Sequence, residues 1–209
     1  DWLLKQPMVQ GPKVGVTSTS RGSEAALQVA TLTPKVGAVV AYVPSGIRWM
    51  GVDGRPSWTY HGKPLPYVQW PNNFDGRNNA VAKVDRFNQV LDDPNAYAAA
   101  EIEVEKASCP ILLISGKDDQ LWPSERMANM IVERLKKRNY PNSYKHIAYP
   151  NAGHRIKVPG LDASSYEPVS EDTVTHEMLR LGGTYEGNKV ASEQSWSETL
   201  SFFRAALLK

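Results

Sequence analysis

The sequence predicts an α/β fold built on a mostly parallel sheet flanked by helices. Three observations predict it. Residues 36–43 and 111–115 are short, continuous apolar runs rich in β-branched side chains, the pattern of strands buried on both faces. Residues 124–138 set Met127, Met130, Ile131 and Leu135 on one helical face and Glu125, Arg126, Glu133 and Lys137 elsewhere, which is an amphipathic helix. Strands alternating with helices call for a parallel sheet with the helices outside it, and 209 residues suffice for one large domain whose core needs no staple.

The elements follow in order. Residues 1–8 suit a short helix that buries Trp2, Leu3 and Leu4 and is broken by Gly11-Pro12. Residues 13–17 form a first strand, and a turn of small residues leads into a helix over 23–32. That helix aligns Ala26, Leu27, Ala30 and Thr31 and ends at Thr33-Pro34. After the strand at 36–43 comes an irregular excursion over 44–79, punctuated by Gly and Pro and rich in Trp and Tyr. Within it residues 58–60 and 65–68 flank His61-Gly62-Lys63-Pro64 as a hairpin. Such a segment serves as a lid or binding loop, or its aromatics pack it down.

Residues 80–91 and 94–101 read as helical, with Asp92-Asp93-Pro94 as break and cap. The strand at 111–115 ends in Gly116-Lys117-Asp118-Asp119, and the helix at 124–138 follows. A further strand at 144–149 runs into Pro150-Asn151-Ala152-Gly153-His154. Residues 155–188 carry no clear period, and a closing helix over 190–208 has Trp196, Leu200, Phe203 and Leu207 at helical spacing.

Composition bounds the function. Apolar residues make up 41% and charged residues 22%, with a net charge of +2, so nothing calls for a nucleic-acid partner. Arg134, Lys136, Lys137 and Arg138 are expected as a solvated helix end, where cations complement the dipole. Cys109 is the only cysteine, which excludes an internal disulfide and a cysteine zinc site. Beside Pro110 it is expected to be a buried small hydrophobe. No apolar stretch is long enough to span a bilayer, and no basic-then-apolar signal opens the chain. It is expected to be soluble and intracellular, with the cytoplasm the first choice of compartment. The terminus Ala206-Leu207-Leu208-Lys209 lacks a peroxisomal Ser-Lys-Leu address.

The turn after the first strand carries the chemistry. A nucleophile elbow needs small residues two positions either side of a serine on a strained strand-to-helix turn. Ser20 meets this with Gly22 after it, although Ser18 stands where glycine is usual. Registers centred on Ser18 or Ser23 fit worse, and a capped turn without chemistry is the competing reading. Asp118 or Asp119 then follows the strand at 111–115, and His154 the strand at 144–149. In an open α/β sheet these strand ends are where ligands bind. The order Ser, Asp, His is that of the α/β-hydrolase arrangement. His154 would take and return the serine proton while the aspartate holds its tautomer. The backbone N–H of Arg21 would be one oxyanion donor. Asp119 is preferred, because it lies three residues after Gly116 and four before Pro123. His61, His146 and His176 are assigned structural or solvent roles, and the triad requires no metal or cofactor.

The elbow at 15–22, the acid turn Ser115-Gly116-Lys117-Asp118-Asp119-Gln120-Leu121-Trp122 and the run Tyr149-Pro150-Asn151-Ala152-Gly153-His154 resemble one family in particular. So do residues 60–66 and the tail from Leu181-Gly182-Gly183-Thr184 to Ser195-Trp196. The family is the C-terminal catalytic domain of acyl-CoA thioesterases and bile-acid-CoA:amino-acid N-acyltransferases, and the resemblance spans all 209 residues. It implies an α/β-hydrolase-type sheet lacking the first strands of the full fold, in a catalytic domain cut from a longer protein with an N-terminal β-sandwich. A missing N-terminal domain or partner chain would then cover the sheet edge beside the elbow and supply the second oxyanion donor. The resemblance further implies acyl-CoA as substrate, Ser20 as nucleophile, Asp119 as acid and His154 as base. Acyl-transferring members use cysteine, so serine favours hydrolysis. The competing readings are N-acyl transfer, an esterase or peptidase of the dienelactone-hydrolase or prolyl-oligopeptidase type, and a degenerate domain retained for binding. Lys117, Arg155 and Lys157 would lie near the mouth of the site, within reach of phosphates.

Overall fold

The computed structural model describes residues 2–51, 53–69, 83–159, 163–171 and 178–208. Trp2 and Leu3 are 73% and 48% exposed beside a single 3₁₀ turn, Leu3–Lys5, instead of sitting buried on a helix. Pro7 explains the correction: it has no N–H to carry the turn onward and disfavours helix in the residue before it.

The first strand, β1, runs Val14–Thr19, and α1, Arg21–Leu32, starts directly behind Ser20, two residues earlier than its apolar pattern alone suggests. Strand β2 (Val36–Tyr42) is buried along its whole length. The excursion then carries a hairpin of β3 (Thr59–Tyr60) and β4 (Lys63–Pro64). Its turn is His61-Gly62 alone, with φ of 49° and 75°. Two successive left-handed residues make the tight turn that suits strand twist, so Lys63 and Pro64 are strand and not turn as expected. Helices α2 (Lys83–Leu91) and α3 (Pro94–Tyr97) follow, the latter capped by Asp93 and continued by a 3₁₀ turn, Ala98–Ala100. Residues 70–82, which hold the end of the excursion and the expected start of α2, lie outside the described residues, as does His176.

Strand β5 (Ile111–Gly116), helix α4 (Ser124–Lys137) and strand β6 (Tyr144–Tyr149) match their sequence patterns closely. The stretch without a clear period contains a 3₁₀ turn, Ala163–Tyr166, and a small antiparallel pair, β7 (Val169–Glu171) with β8 (Met178–Arg180). The closing helix α5 covers Tyr185–Leu207, because Thr184 caps it by accepting the Gly187 N–H. Its buried stripe is Asn188, Ala191, Ser192, Ser195 and Thr199, while Leu200 is 37% exposed. Small residues let α5 lie close on the sheet, where the Tyr42 hydroxyl bonds Thr199 at 2.7 Å.

The four main strands pair in parallel in the order β1-β2-β5-β6. Alternation along β2 and β5 splits the core. Val39, Ala41, Ile111 and Leu113 face Leu27 of α1 and Ile131 and Leu135 of α4. Val40, Tyr42, Leu112 and Ile114 face Ala191 of α5 and Ile156. A third cluster, with Trp49, Phe87, Trp122 and Met127, anchors the excursion and α2 over α4. Among the described strands β1 pairs only with β2, so the elbow strand forms an edge.

Two charge expectations are revised or met here. Arg134 is not a solvated helix end, because it is 18% exposed and bonds Glu101 at 2.8 Å and Glu105 at 2.6 Å. Cys109 is buried, and burial pushes its thiol up to about 11, as suits a structural thiol.

Candidate active site

Ser20 stands between the end of β1 and the first residue of α1 with φ 55° and ψ −129°. A non-glycine residue there is strained, and its carbonyl accepts the Ser23 hydroxyl at 2.6 Å. The sharpness of the turn brings α1 against β1, so that a Cβ on Gly22 would collide with Ser18 Oγ. The departure at Ser18 is therefore accommodated by the glycine on the other side of the elbow. Ser23, the competing register, is fully buried with its hydroxyl engaged by the Ser20 carbonyl and the Ser45 N–H.

The three strand-end residues meet. His154 Nδ1 lies 2.9 Å from Asp119 Oδ2, and His154 Nε2 lies 2.8 Å from Ser20 Oγ. A carboxylate only accepts, so Nδ1 carries the proton, Nε2 is the acceptor and Ser20 donates to it. The side chains of Asp119 and His154 are 1% and 10% exposed, which keeps water from competing for these bonds. Asp119 Oδ1 accepts the N–H groups of Leu121 and Trp122 at 3.1 and 3.2 Å. Asp118 points elsewhere: Oδ2 accepts the Gly183 N–H at 2.8 Å and Oδ1 the Gln120 amide at 3.0 Å. The Arg21 N–H is the first amide of α1, one of those with no acceptor inside the helix.

The segment Leu181-Gly182-Gly183 fastens the acid turn to the histidine turn. The Leu181 carbonyl accepts the His154 N–H at 2.7 Å and the Gln120 N–H at 3.4 Å, and Gly182 and Gly183 bridge to Asp119 and Ala152. Gly182 has φ 76°, and a Cβ there would run into the Asp118 carbonyl. Buried Asn188 completes the clamp, accepting from Gly153 N at 2.8 Å and donating to the carbonyls of Tyr166 and Gly182.

Sequence reading gave no role to three further residues at the site, one of which, Trp122, it quoted only as part of the acid-turn motif. Trp122 lies edge-on to the His154 ring at 5.5 Å between centroids and donates its indole N–H to the Val43 carbonyl at 3.1 Å. Val43 has φ 37°, an outlying conformation for a β-branched residue. Glu24 is fully buried in the first turn of α1, pairs with Arg21 at 3.0 Å and accepts the Trp58 indole N–H at 2.9 Å. Burial outweighs these partners and pushes its carboxyl up to about 7. A charged residue among apolar helix positions was the available signal for Glu24, and the acid-turn motif the signal for Trp122, whereas Val43 reads as ordinary buried strand.

The other two described histidines stand apart. His146 bridges the Ser115 hydroxyl at 2.7 Å and Asn129 Oδ1 at 3.0 Å between β5, β6 and α4, and burial lowers its pKa. Ser115 is fully buried, which suits a structural link. His61 occupies the hairpin turn. Of the three basic residues expected near the mouth, Arg155 and Lys157 line the cavity beside Ser20 and Lys117 does not. Among the described residues no cluster of three or more His, Cys, Asp or Glu side chains is placed to hold a metal, and no helix is long and apolar enough to cross a membrane.

The parallel sheet, its flanking helices and the elbow define an α/β-hydrolase-type domain. The fold aligns with the Pyrococcus horikoshii acylaminoacyl peptidase at a TM-score of 0.55 and 13% identity, over 99% of this chain and 26% of that one. The chain belongs to the family described as "BAAT / Acyl-CoA thioester hydrolase C terminal", which matches residues 1–209. It is 30% identical to the mouse (Mus musculus) acyl-coenzyme A amino acid N-acyltransferase 1, over 100% of this chain and 47% of that protein. It is likewise 30% identical to the human (Homo sapiens) acyl-coenzyme A thioesterase 1, over 99% and 47% respectively. The chain thus spans about half the length of the curated relatives it matches.

Proposed function

We propose that the chain is the catalytic domain of a serine hydrolase that cleaves acyl-CoA thioesters, with Ser20 as nucleophile, His154 as base and Asp119 as the acid that orients it. The observation that carries this reading is the continuous bond path from Asp119 Oδ2 through His154 to Ser20 Oγ, at 2.9 and 2.8 Å. The family and the names of its members supply the thioester.

In this reading Ser20 Oγ attacks the thioester carbonyl carbon as its proton passes to His154 Nε2, and the carbonyl oxygen becomes an oxyanion. The Arg21 N–H, at the positive end of α1, stabilises that charge. Collapse breaks the carbon–sulfur bond, and the leaving thiolate takes the proton from His154. A water molecule then attacks the acyl-serine, gives its proton to His154, and the ester carbon–oxygen bond breaks with return of that proton to Ser20. Asp119 keeps the imidazole in one tautomer and stabilises its cationic form throughout.

The second oxyanion donor and the cover for the free edge of β1 come, in this proposal, from the preceding half of a longer protein. What supports this is that β1 is an edge strand and that the chain matches only about half of each relative. Acyl transfer to an amino acid is the second reading, favoured by the likeness to the N-acyltransferase.

The test is labelling of the full-length protein by a fluorophosphonate together with acyl-CoA turnover. An adduct on Ser20 and thiol release that disappears in Ser20→Ala support the assignment. Absence of an adduct would sink it in favour of a binding domain, and an amide product in the presence of glycine would favour transfer over hydrolysis.

A further inference from the structure

The turn that carries His154 is held residue by residue. The Asn151 carbonyl accepts the Thr184 N–H at 2.9 Å, and Ala152 bridges to Gly183. The Gly153 N–H donates to Asn188 Oδ1 at 2.8 Å, and the His154 N–H donates to the Leu181 carbonyl at 2.7 Å. All of these contacts run from backbone to backbone except one. The exception lies directly before His154 and depends on a single side chain, that of Asn188.

Asn188 is fully buried near the start of α5, and an amide leaves water at little cost only where its hydrogen bonds are replaced. Here both amide hydrogens are used. Nδ2 donates to the Tyr166 carbonyl at 2.9 Å and to the Gly182 carbonyl at 3.3 Å, while Oδ1 accepts from Gly153. Its backbone is fixed as well, since its N–H donates to the Thr184 carbonyl at 2.8 Å and its carbonyl accepts the Ser192 hydroxyl at 2.8 Å. One side chain therefore ties the residue before His154 to the segment that receives the His154 N–H, and anchors both on the long helix. The helix has a separate anchor on the sheet, the Tyr42–Thr199 bond at 2.7 Å, so its docking does not rest on Asn188 alone.

We infer that Asn188 is a positioning residue for His154, fixing the histidine turn so that the imidazole meets Asp119 and Ser20 at once. This rests on the proposed triad and deepens that reading. The ring is bonded at both ends, 2.9 Å to Asp119 Oδ2 and 2.8 Å to Ser20 Oγ, and good hydrogen bonds to nitrogen end at about 3.2 Å. A displacement of the turn by about half an ångström along that line therefore breaks one bond or compresses the other. Without Asn188 the buried Gly153 N–H loses its acceptor, and a buried donor left unpaired costs enough to draw the turn toward another partner or toward water. Asn188 acts through the turn alone. It is not part of the wall of the cavity beside Ser20, which includes His154, Leu179 and Leu181.

The experiment compares full-length wild-type protein with Asn188→Leu, Asn188→Asp and Thr199→Val. Asn188→Leu keeps the branching of the side chain and removes its bonds to Gly153, Tyr166 and Gly182, whereas Asn188→Asp keeps the acceptor for Gly153. Thr199→Val breaks the Tyr42 bond and is the control for helix docking. Per folded molecule, counted by near-UV circular dichroism, Asn188→Leu is expected to lower kcat for acyl-CoA by about a hundredfold, the scale of a roughly 1 Å misplacement. KM stays within about twofold, because no substrate contact is removed. Asn188→Asp falls between Asn188→Leu and wild type. The downfield proton resonance of the His154 Nδ1–H bonded to Asp119 shifts or broadens in both Asn188 variants. Thr199→Val lowers the melting temperature and keeps kcat. Wild-type kcat in Asn188→Leu beside a lowered melting temperature overturns the inference, as does a change confined to KM or an equal fall of kcat in Thr199→Val. If Asn188→Leu does not fold, Asn188→Asp decides: a lowered kcat upholds the inference and a wild-type kcat overturns it. Should the wild-type protein hydrolyse no thioester, the thioesterase reading fails by itself and the His154 resonance decides Asn188. A resonance moved by the Asn188 variants and not by Thr199→Val upholds the positioning role, and an unmoved one overturns it.

Discussion

Trp58 donates its indole N–H to Glu24 at 2.9 Å, and so pins the excursion between β2 and α2 onto the first turn of the elbow helix. The same carboxylate pairs with Arg21, the residue after Ser20. Glu24 therefore joins the excursion to the turn that holds the proposed nucleophile.

The position of Glu24 gives a pH dependence. Its carboxyl is pushed up to about 7 in the fold against 4.5 unperturbed, so between those values the folded chain keeps a proton that the unfolded chain releases. Stability contributed at this site is full below about pH 4.5 and falls as the pH rises through about 7, by on the order of 3 kcal/mol. Glu24→Gln is isosteric with the protonated form and removes the loss. The melting-temperature difference between Glu24→Gln and wild type is expected to grow from pH 5 to pH 8. A difference constant with pH would contradict the assignment.

The two aspartates separate by partner. Asp119→Asn removes the charge that faces His154 and is expected to lower kcat by about 10⁴, the scale seen when a triad aspartate is made neutral. Asp118→Asn weakens the bond to Gly183 and is expected to cost less than tenfold. Thiol release under saturating acyl-CoA measures both, and the opposite ranking would reverse the roles.

Ser18 and Gly22 are coupled across the elbow. Gly22→Ala drives a methyl into Ser18 Oγ and is expected to cost about 1–3 kcal/mol, the usual scale of overpacking. Ser18→Gly in that background should recover most of the loss. Urea midpoints of the two single variants and the double variant give the coupling energy, and simple additivity would show that the contact does not matter.

Trp122→Phe keeps an aromatic ring near His154 but leaves the buried Val43 carbonyl without its indole donor. The expected loss is about 1–3 kcal/mol, together with a fall in kcat as the acid turn loosens. Unchanged stability would mean that a water replaces the indole.

The order of strands and helices was legible because it rests on local patterns. The apolar runs at 36–43 and 111–115 and the wheel at 124–138 depend only on which side chains alternate or recur. The elbow, acid turn and histidine turn were legible for a related reason: each follows a strand, and parallel strands deliver their ends to one edge of the sheet. Boundaries set by single bonds were less visible. The start of α5 depends on a Thr184 cap, and the hairpin on two left-handed residues. The buried face of α5 also escaped the apolar pattern, because close approach to the sheet selects Ala191, Ser192, Ser195 and Thr199 over larger side chains.

By itself, then, the sequence determined a parallel α/β sheet, a small-residue elbow at Ser20, and an acid and a histidine at later strand ends, since periodicity and turn chemistry are properties of neighbouring residues. Only the tertiary structure decided that Asp119 and not Asp118 faces His154, that Gly22 makes room for Ser18, and that Glu24 is buried between Arg21 and Trp58. Each of these depends on distances between segments far apart in the chain, and on which donors and acceptors burial leaves to satisfy one another.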